Sequence, residues 1–223
     1  MMTHPGGAVF LMPKGTHAIS GSALDHLRRA DPVLCEIINR VGEYRIEFRE
    51  PSFESLVRSI IFQQLSGRVA RVIFDRVAAA AGGRLTPRTI LKLRPARLRS
   101  AGLSARKTAY IRDLARHTRD GKVVFEKLPE LPDTEVIEQL TIVKGIGVWT
   151  AHMFLIFALR RPDVLPTGDL GIRAAIRKAY GLEALPKPAE IETLGQSWRP
   201  YCSVASWYLW RSLETNGENA ALL

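Results

Sequence analysis

Residues that start and stop helices recur along this chain, and almost nowhere do apolar and polar residues alternate as they do in a strand. Asp31-Pro32, Ser52 and Ser104 are each suited to the first turn of a helix. The one alternating stretch, residues 44–48, has no obvious partner strand and is expected to be an extended connector. The pattern predicts an all-α protein of about ten helices, without a solenoid repeat.

Apolar periodicity and cap residues place the helices along the chain. Ser22 and Asp25 resemble a capping box at the start of the first helix, and the second helix ends before Gly42. A helix opened by Ser52 is expected to run to about Leu65. The later helices are predicted at residues 69–81, 87–93, 105–119, 136–143, 149–159, 170–180, 188–196 and 200–214.

The composition is that of a globular protein with one compact core, since 46% of the 223 residues are hydrophobic and 24% are charged. Residues 1–17 and 216–223 show no periodicity and are expected to be loose tails. No apolar stretch approaches the ~20 residues of a membrane span, and no signal peptide is visible, so we expect no membrane partner. The two cysteines, Cys35 and Cys202, are too few for a disulfide framework or a four-thiolate metal site.

Positive charge is concentrated in one part of the chain, which carries a net charge of +10. The basic segment, residues 84–119, contains eleven basic residues and a single acidic one, Asp113, a net +10 by itself. A clustered excess of this kind favours a polyanionic partner, above all nucleic acid. A solvated, arginine-rich helical surface is the alternative.

Lys144-Gly145-Ile146-Gly147 separates two apolar helices within residues 134–159. Two glycines on either side of an apolar residue allow a tight turn, and their N–H groups can approach a phosphate closely. The second helix also points the positive end of its dipole at such an anion. Taken alone, this motif more often forms an ordinary αα-hairpin. The loop that follows it favours a helix-hairpin-helix that contacts DNA through Lys144, Gly145, Gly147 and Thr150.

A loop rich in glycine and proline follows the hairpin and ends at Asp169, in the run Leu165-Pro166-Thr167-Gly168-Asp169. A helix-hairpin-helix followed by such a loop and an aspartate resembles the signature of the HhH-GPD DNA glycosylases. The resemblance extends to Gln63-Gln64-Leu65-Ser66 and to residues 198–210, and it covers most of the chain from Ser20 to Glu214. The chain is most similar to the 3-methyladenine DNA glycosylase II type.

The resemblance implies a two-lobed helical fold with the active-site cleft between the lobes. One lobe would comprise residues 52–166 and contain the helix-hairpin-helix. The other would be built from both chain ends, residues 18–51 and 167–215. The β-rich N-terminal domain of longer relatives is not expected, because too few residues precede Ser52.

Asp169 precedes a predicted helix, so capping that helix is its simplest role. The resemblance implies that it is also the catalytic carboxylate, and the two roles are compatible because a helix N-terminus stabilises an anion. Cleavage of an N-glycosidic bond builds positive charge on the sugar, which a fixed carboxylate stabilises, and the carboxylate can also orient or deprotonate water. A purine alkylated at N3 or N7 is already cationic and leaves readily, so one aspartate suffices.

A glycosylase must hold the flipped base in a pocket, which the resemblance assigns to Trp149, Trp210 and Met153. Aromatic faces attract a cationic base. Packing in the core is the alternative role for both tryptophans, and the sequence favours that role more for Trp149 than for Trp210. The best-known pattern of the family has an aromatic residue at the Met153 position, which leaves the pocket shape and substrate range open.

Bifunctional members of the superfamily carry a nucleophilic lysine where this chain has Trp149. Iron–sulfur relatives carry four clustered cysteines near the C-terminus, which this sequence lacks. These differences predict a monofunctional glycosylase that has no lyase activity and needs no cofactor.

Extruding a base leaves a gap in the DNA stack that an apolar wedge can fill. The resemblance assigns this role to Leu65, with Gln64 contacting the orphaned base or strand; anchoring of the core is the alternative for Leu65. In relatives, hairpin carbonyls can bind a monovalent cation, which here would use the backbone of Thr141, Val143 and Ile146. No metal held by side chains is expected.

The resemblance therefore implies an enzyme that removes 3-methyladenine and 7-methylguanine from double-stranded DNA during base excision repair. We expect a monomer in the bacterial cytoplasm at the nucleoid, or in the nucleus of a eukaryote. Two alternatives remain, a noncatalytic helix-hairpin-helix DNA-binding protein and a glycosylase for oxidised or mismatched bases. Asp169 argues against the first, and Trp149 argues against a lyase version of the second.

Overall fold

The computed structural model describes residues 21–214. Within this range the chain forms twelve α-helices, two short 3-10 helices and no strand, which confirms the all-α prediction. The tails predicted at residues 1–17 and 216–223 lie outside the described residues. None of the described helices combines the length and the apolar character that crossing a membrane requires.

The helices follow one another at short intervals along the chain. They are α1 (Gly21–Ala30), α2 (Pro32–Val41), α3 (Phe53–Phe62), α4 (Gly67–Ala80), α5 (Pro87–Lys92), α6 (Pro95–Ser100), α7 (Ala105–Arg119), α8 (Asp133–Thr141), α9 (Val148–Phe157), α10 (Leu170–Ala179), α11 (Pro188–Gly195) and α12 (Cys202–Glu214). The 3-10 helices are Leu128–Glu130 and Gln196–Trp198.

Local sequence accounts for several helix starts. The carboxylate of Asp31 accepts hydrogen bonds from two amides in the first turn of α2, and Pro32 occupies the first helical position. Ser52 forms a reciprocal capping box with Ser55 at the start of α3, and Ser104 accepts a hydrogen bond from the third amide of α7. These contacts confirm the predicted caps, because each satisfies an amide that has no partner within its helix.

Two predictions about helix bounds are wrong, and one helix is not predicted. Ser22 lies inside α1 rather than at its cap. Helix α3 ends at Phe62 instead of near Leu65, because Gln63 has already left the helical conformation, with φ −53° and ψ 126°. Periodicity does not predict α6, since six residues beginning at Pro95 are too short to show a helical pattern.

Residues 44–48 form the extended connector that their alternation predicts, without pairing to a strand in the described part of the chain. Tyr44 packs against Trp207 of α12 with ring centroids 4.6 Å apart. Just beyond, the amide of Arg49 donates a 2.8 Å hydrogen bond to the carbonyl of Phe157. The connector therefore runs alongside α9 and α12, the helices that carry both candidate pocket tryptophans.

The helices pack in two main groups. Helices α1, α2 and α10–α12 pack with one another and with residues 196–198, whereas α3–α7 pack together and α8 packs along α9. Phe157 of α9 stacks on Trp210 of α12 with centroids 5.9 Å apart and planes at 25°. Helix α9 thus meets the group formed by the chain ends. The exact lobe boundaries, at residues 51/52 and 166/167, stay a prediction.

Candidate active site

Asp169 caps α10 and accepts three hydrogen bonds. Its Oδ1 accepts from the amide of Ile172 at 2.7 Å and from the indole N–H of Trp210 at 2.9 Å. Its Oδ2 accepts from the indole N–H of Trp149 at 2.6 Å. The residue is only 8% exposed. The predicted cap is present, and two tryptophans from different helices converge on the same carboxylate.

The loop before Asp169 is held by its own backbone and by the start of α12. The amide of Asp169 donates to the carbonyl of Pro166 at 2.9 Å, which closes a tight turn. Ser203 accepts a hydrogen bond from the amide of Val164 at 3.0 Å and donates one to the carbonyl of Arg161 at 2.6 Å. These contacts fix the direction from which the carboxylate enters the site.

Gly171 is a site residue that sequence reasoning missed. A Cβ at this position would lie 3.0 Å from Oδ1 of Asp169 and 3.1 Å from Cδ1 of Trp210. Glycine therefore lets the backbone of α10 come close to both groups. The available signal was a glycine two residues after the capping aspartate, inside a helix where glycine is unfavourable.

The exposure of the two tryptophans is the reverse of the expected one. Trp149 is 45% exposed, so core packing does not explain it, whereas Trp210 is 6% exposed and lies against Phe157. Met153 is half-buried against the core one helical turn after Trp149, and residues four apart share a helix face. Trp149 therefore offers the accessible aromatic surface beside the carboxylate.

The two hairpin glycines serve different purposes. Gly145 has φ +85°, and a Cβ there would lie 2.1 Å from the ring of Tyr110 on α7, so both its backbone and its neighbour require glycine. Gly147 has ordinary angles and open space where a Cβ would be. Between them, Ile146 is buried and anchors the turn in the core.

No side chain in the described part of the chain caps the start of α9. The first helical hydrogen bond of α9 runs from the amide of Ala151 to the carbonyl of Gly147, at 3.1 Å. Amides in the first turn of a helix lack intrahelical partners and suit an anion such as phosphate. The Lys144 side chain is exposed beside this turn. The Thr150 side chain is buried and accepts a 3.3 Å hydrogen bond from Gln63, so a DNA contact would use its backbone.

The candidate wedge lies in the loop between α3 and α4. Gln64 is exposed and has φ +56°, an uncommon conformation for a residue with a side chain. Leu65 is half-buried and packs against the core. The structure therefore places Gln64 at the surface and Leu65 at the edge of the core, and their DNA contacts stay predictions.

The basic segment is only partly a charged surface. Lys107 and Arg112 point inward and donate hydrogen bonds to backbone carbonyls. Arg116 and Arg119 are exposed, but each forms an ion pair with a neighbouring acid. The remaining seven basic residues are also exposed: Arg84, Arg88, Lys92, Arg94, Arg97, Arg99 and Arg106. The expectation that the whole segment faces a polyanion needs this correction.

Among residues 21–214, no three His, Cys, Asp or Glu side chains lie close enough together to hold a metal ion. Both cysteines are free, and burial raises the pKa of the Cys202 thiol. The carbonyl of Val143, one of the three candidate ligands for a monovalent cation, accepts a 3.0 Å hydrogen bond from the amide of Ile146. A carbonyl has two lone pairs, so this contact is compatible with a cation there, which stays a prediction.

Comparisons with known proteins show the family of the chain. Residues 57–200 match the HhH-GPD superfamily of base excision DNA repair proteins. The chain is 35% identical over 194 residues to DNA-3-methyladenine glycosylase 1 of Schizosaccharomyces pombe, which covers 84% of this chain and 85% of that protein.

Two solved structures resemble the whole helical body. One is a 3-methyladenine DNA glycosylase of Schizosaccharomyces pombe in complex with abasic DNA, with TM-score 0.78, 34% identity, and coverage of 86% of this chain and 97% of the other. The second is a DNA-3-methyladenine glycosidase of Bacillus halodurans, with TM-score 0.79, 38% identity, and coverage of 88% and 91%. The chain therefore belongs to the HhH-GPD superfamily of base excision DNA repair proteins.

Proposed function

We propose that this chain is a monofunctional DNA glycosylase that flips alkylated purines, chiefly 3-methyladenine and more slowly 7-methylguanine, out of duplex DNA and hydrolyses their glycosidic bonds. The observation that carries the proposal is Asp169, a buried carboxylate bonded to the indoles of Trp149 and Trp210. The relatives and solved structures that the chain resembles are named for 3-methyladenine excision. This agreement supports the substrate class.

Asp169 would act as a fixed negative charge beside the sugar. When the bond between C1′ and the base nitrogen breaks, its electron pair leaves with the base and neutralises the positive charge of the alkylated ring. Positive charge then develops on the sugar, where a preorganised carboxylate stabilises it. Water adds to C1′, and its proton passes through Asp169 to solvent. Because the alkylated base leaves without protonation, no second acid is needed.

Trp149 and Trp210 would divide two tasks. The buried Trp210 indole holds Oδ1 of Asp169 in place together with the first turn of α10. The exposed Trp149 ring can stack on a cationic base, an attraction of ~0.5 to 2 kcal/mol. Met153, on the same face of α9, would contribute to the floor of the pocket.

DNA binding would combine electrostatic grip with a wedge. The uncapped start of α9 and the exposed Lys144 suit a backbone phosphate. Gln64 and Leu65 would fill the gap left by the flipped base. Phosphate contacts position a protein without reading bases, so sequence preference should be weak and affinity should fall steeply with salt.

The proposal is tested by incubating the protein with methylated duplex DNA and separating the released bases by chromatography. We expect 3-methyladenine to appear first, 7-methylguanine more slowly, and the abasic strand to stay intact until heat or alkali is applied. Release of 8-oxoguanine alone would favour the oxidised-base alternative. Tight binding of abasic-site DNA with no base released would favour the noncatalytic alternative.

The monofunctional assignment rests on Trp149, because an indole nitrogen cannot form a Schiff base with the sugar. Borohydride treatment during the reaction should trap no covalent adduct between protein and DNA, and a trapped adduct would overturn the assignment. We further propose that the protein acts on double-stranded DNA as a monomer, at the bacterial nucleoid or in a eukaryotic nucleus. Sedimentation with and without a damaged duplex tests the stoichiometry.

A further inference from the structure

Lys107, a member of the basic segment on α7, directs its ammonium group into the protein. Nζ donates hydrogen bonds to the carbonyls of Ile61 at 2.7 Å and Gln63 at 2.6 Å. These carbonyls lie at the C-terminal end of α3, where backbone acceptors lack helical partners and a cation is stabilising. Desolvation lowers the pKa of Lys107. The ammonium therefore holds the backbone turn that precedes the candidate wedge, Gln64 and Leu65.

Gln63 connects the same turn to the hairpin. Its side-chain amide donates to the carbonyl of Gly145 at 3.0 Å and to the hydroxyl of Thr150 at 3.3 Å. The backbone of Gln63 is thus held by Lys107, and its side chain is held by the hairpin and the start of α9. Gln63 therefore connects the loop that carries Gln64 and Leu65 to the hairpin turn, residues 144–147.

Helix α7 also holds the hairpin directly. Oδ2 of Asp113 accepts a 2.9 Å hydrogen bond from the amide of Lys144, and the ring of Tyr110 covers Gly145 so closely that a Cβ has no room. Burial raises the pKa of Asp113, but the hydrogen bonds from Lys144 and Arg116 outweigh it and leave the pKa below its ordinary value. Successive turns of α7 therefore contact both DNA-binding elements.

We propose that Lys107 is a positioning residue, which holds the Gln64-Leu65 loop in fixed register with the hairpin and does not contact DNA. When the hairpin binds the duplex, the gap left by the flipped base then lies opposite Leu65. Without the ammonium, the carbonyls of Ile61 and Gln63 lose this partner and the loop can shift relative to the hairpin. The inference rests on the proposed function for its excision readout alone.

The test compares Lys107→Met with Lys122→Met in the full chain. Both changes remove one ammonium and keep a similar unbranched side chain, but Lys122 is exposed and lies outside the basic segment. Three quantities are measured: excision of a methylated purine from duplex and from single-stranded DNA, the salt dependence of duplex binding, and the fluorescence of 2-aminopurine beside an abasic-site analogue. The fluorescence reports entry of the wedge into the stack and needs no base release.

Lys107→Met should slow excision from duplex by about tenfold or more, because small displacements of positioning groups are costly. Its single-strand excision should stay near the parental rate, since a single strand has no stack to fill. The fluorescence change should be lost, while the log–log salt slope stays parental. Lys122→Met should leave all three quantities unchanged.

A different pattern would overturn the proposal. A salt slope smaller by about 0.9 with the fluorescence change retained would make Lys107 a phosphate contact. Equal losses on duplex and single strands would make it a general stabiliser of the fold. If the parent protein releases no base, the proposed function fails, but the fluorescence and salt slope still decide the role of Lys107.

Two further variants keep the proposal falsifiable if Lys107→Met unfolds. Gln63→Leu removes the link to Gly145 and leaves both Lys107 contacts in place, so it should cause the same selective loss on duplex DNA. In a Leu65→Ala background, either change should cost little more on duplex, because the wedge is already gone. Additive losses would show that these residues act independently of Leu65.

Discussion

Two buried aspartates cap helices in this protein in nearly the same way, at Asp31 and at Asp169. Asp31 accepts two backbone amides from the first turn of its helix and Asp169 accepts one, and each also accepts an indole N–H from a buried tryptophan far away in the sequence. Exposure is 5% for Asp31 and 8% for Asp169. Local sequence and burial therefore do not tell which of the two is suited to chemistry.

The difference lies in the donor that faces the second carboxylate oxygen. Oδ2 of Asp31 accepts from the fully buried indole of Trp198 at 2.8 Å and from the hydroxyl of Tyr180. Among residues 21–214, the one donor to Oδ2 of Asp169 is the indole of Trp149, which is 45% exposed. A donor locked in the core makes a carboxylate architectural. Under the proposed function, the exposed indole of Trp149 would turn away and leave Oδ2 of Asp169 to water and substrate.

The largest expected effect is on the activity of Asp169→Asn. Asparagine caps a helix about as well as aspartate, so the melting temperature should stay near the parental value. The neutral amide cannot stabilise a cation-like sugar, so single-turnover excision should fall about 100-fold or more. Near-parental excision by the folded variant would reduce Asp169 to a cap and remove the difference from Asp31.

The same substitution at Asp31 should have the opposite consequences. An amide there must turn its NH2 group toward either the Trp198 indole or the two backbone amides, which leaves buried donors unsatisfied at a cost of about 1–3 kcal/mol. Denaturant unfolding measures this loss, and excision per folded molecule should be parental. If the unfolding midpoint of Asp31→Asn equals that of the parent, Asp31 and Asp169 do not differ in their contribution to stability.

A smaller effect is expected for Gly171→Ala. The added methyl would press on Oδ1 of Asp169 and on the buried Trp210 ring, and we expect excision to slow by about tenfold because the carboxylate shifts. The free energy of unfolding should change by less than about 1 kcal/mol, since alanine favours a helix and offsets the crowding. Gly21→Ala, in α1 with open space around it, is the control. Equal excision by both variants would mean that the carboxylate tolerates displacement.

The smallest expected effect is on the stability of Trp149→Phe. This change removes the donor to Oδ2 at an exposed position, so the free energy of unfolding should move by no more than about 0.5 kcal/mol. Trp198→Phe removes the corresponding donor at Asp31 in the core and should cost several times more. Equal losses in calorimetric unfolding would show that the Trp149 contact is as permanent as the Trp198 contact.

Contacts that span a few residues were predictable from the sequence. The caps at Asp31, Ser52, Ser104 and Asp169, and the glycine turn of the hairpin, each depend on one side chain and the amides or angles next to it. Such local hydrogen bonds form in nearly the same way in any protein. They place the candidate catalytic carboxylate at the start of a helix before any packing is known.

Tertiary packing determined which groups donate hydrogen bonds to that carboxylate. Trp149 and Trp210 lie 20 and 41 residues from Asp169, and nothing in the sequence predicts which of the two is exposed. Gly171 matters because α10 approaches α12 closely. The charge pattern treats Lys107 and the exposed arginines alike, although Lys107 faces backbone carbonyls. Burial and the direction of a side chain depend on which helices meet, so only the assembled fold distinguishes the surroundings of Asp31 from those of the candidate catalytic Asp169.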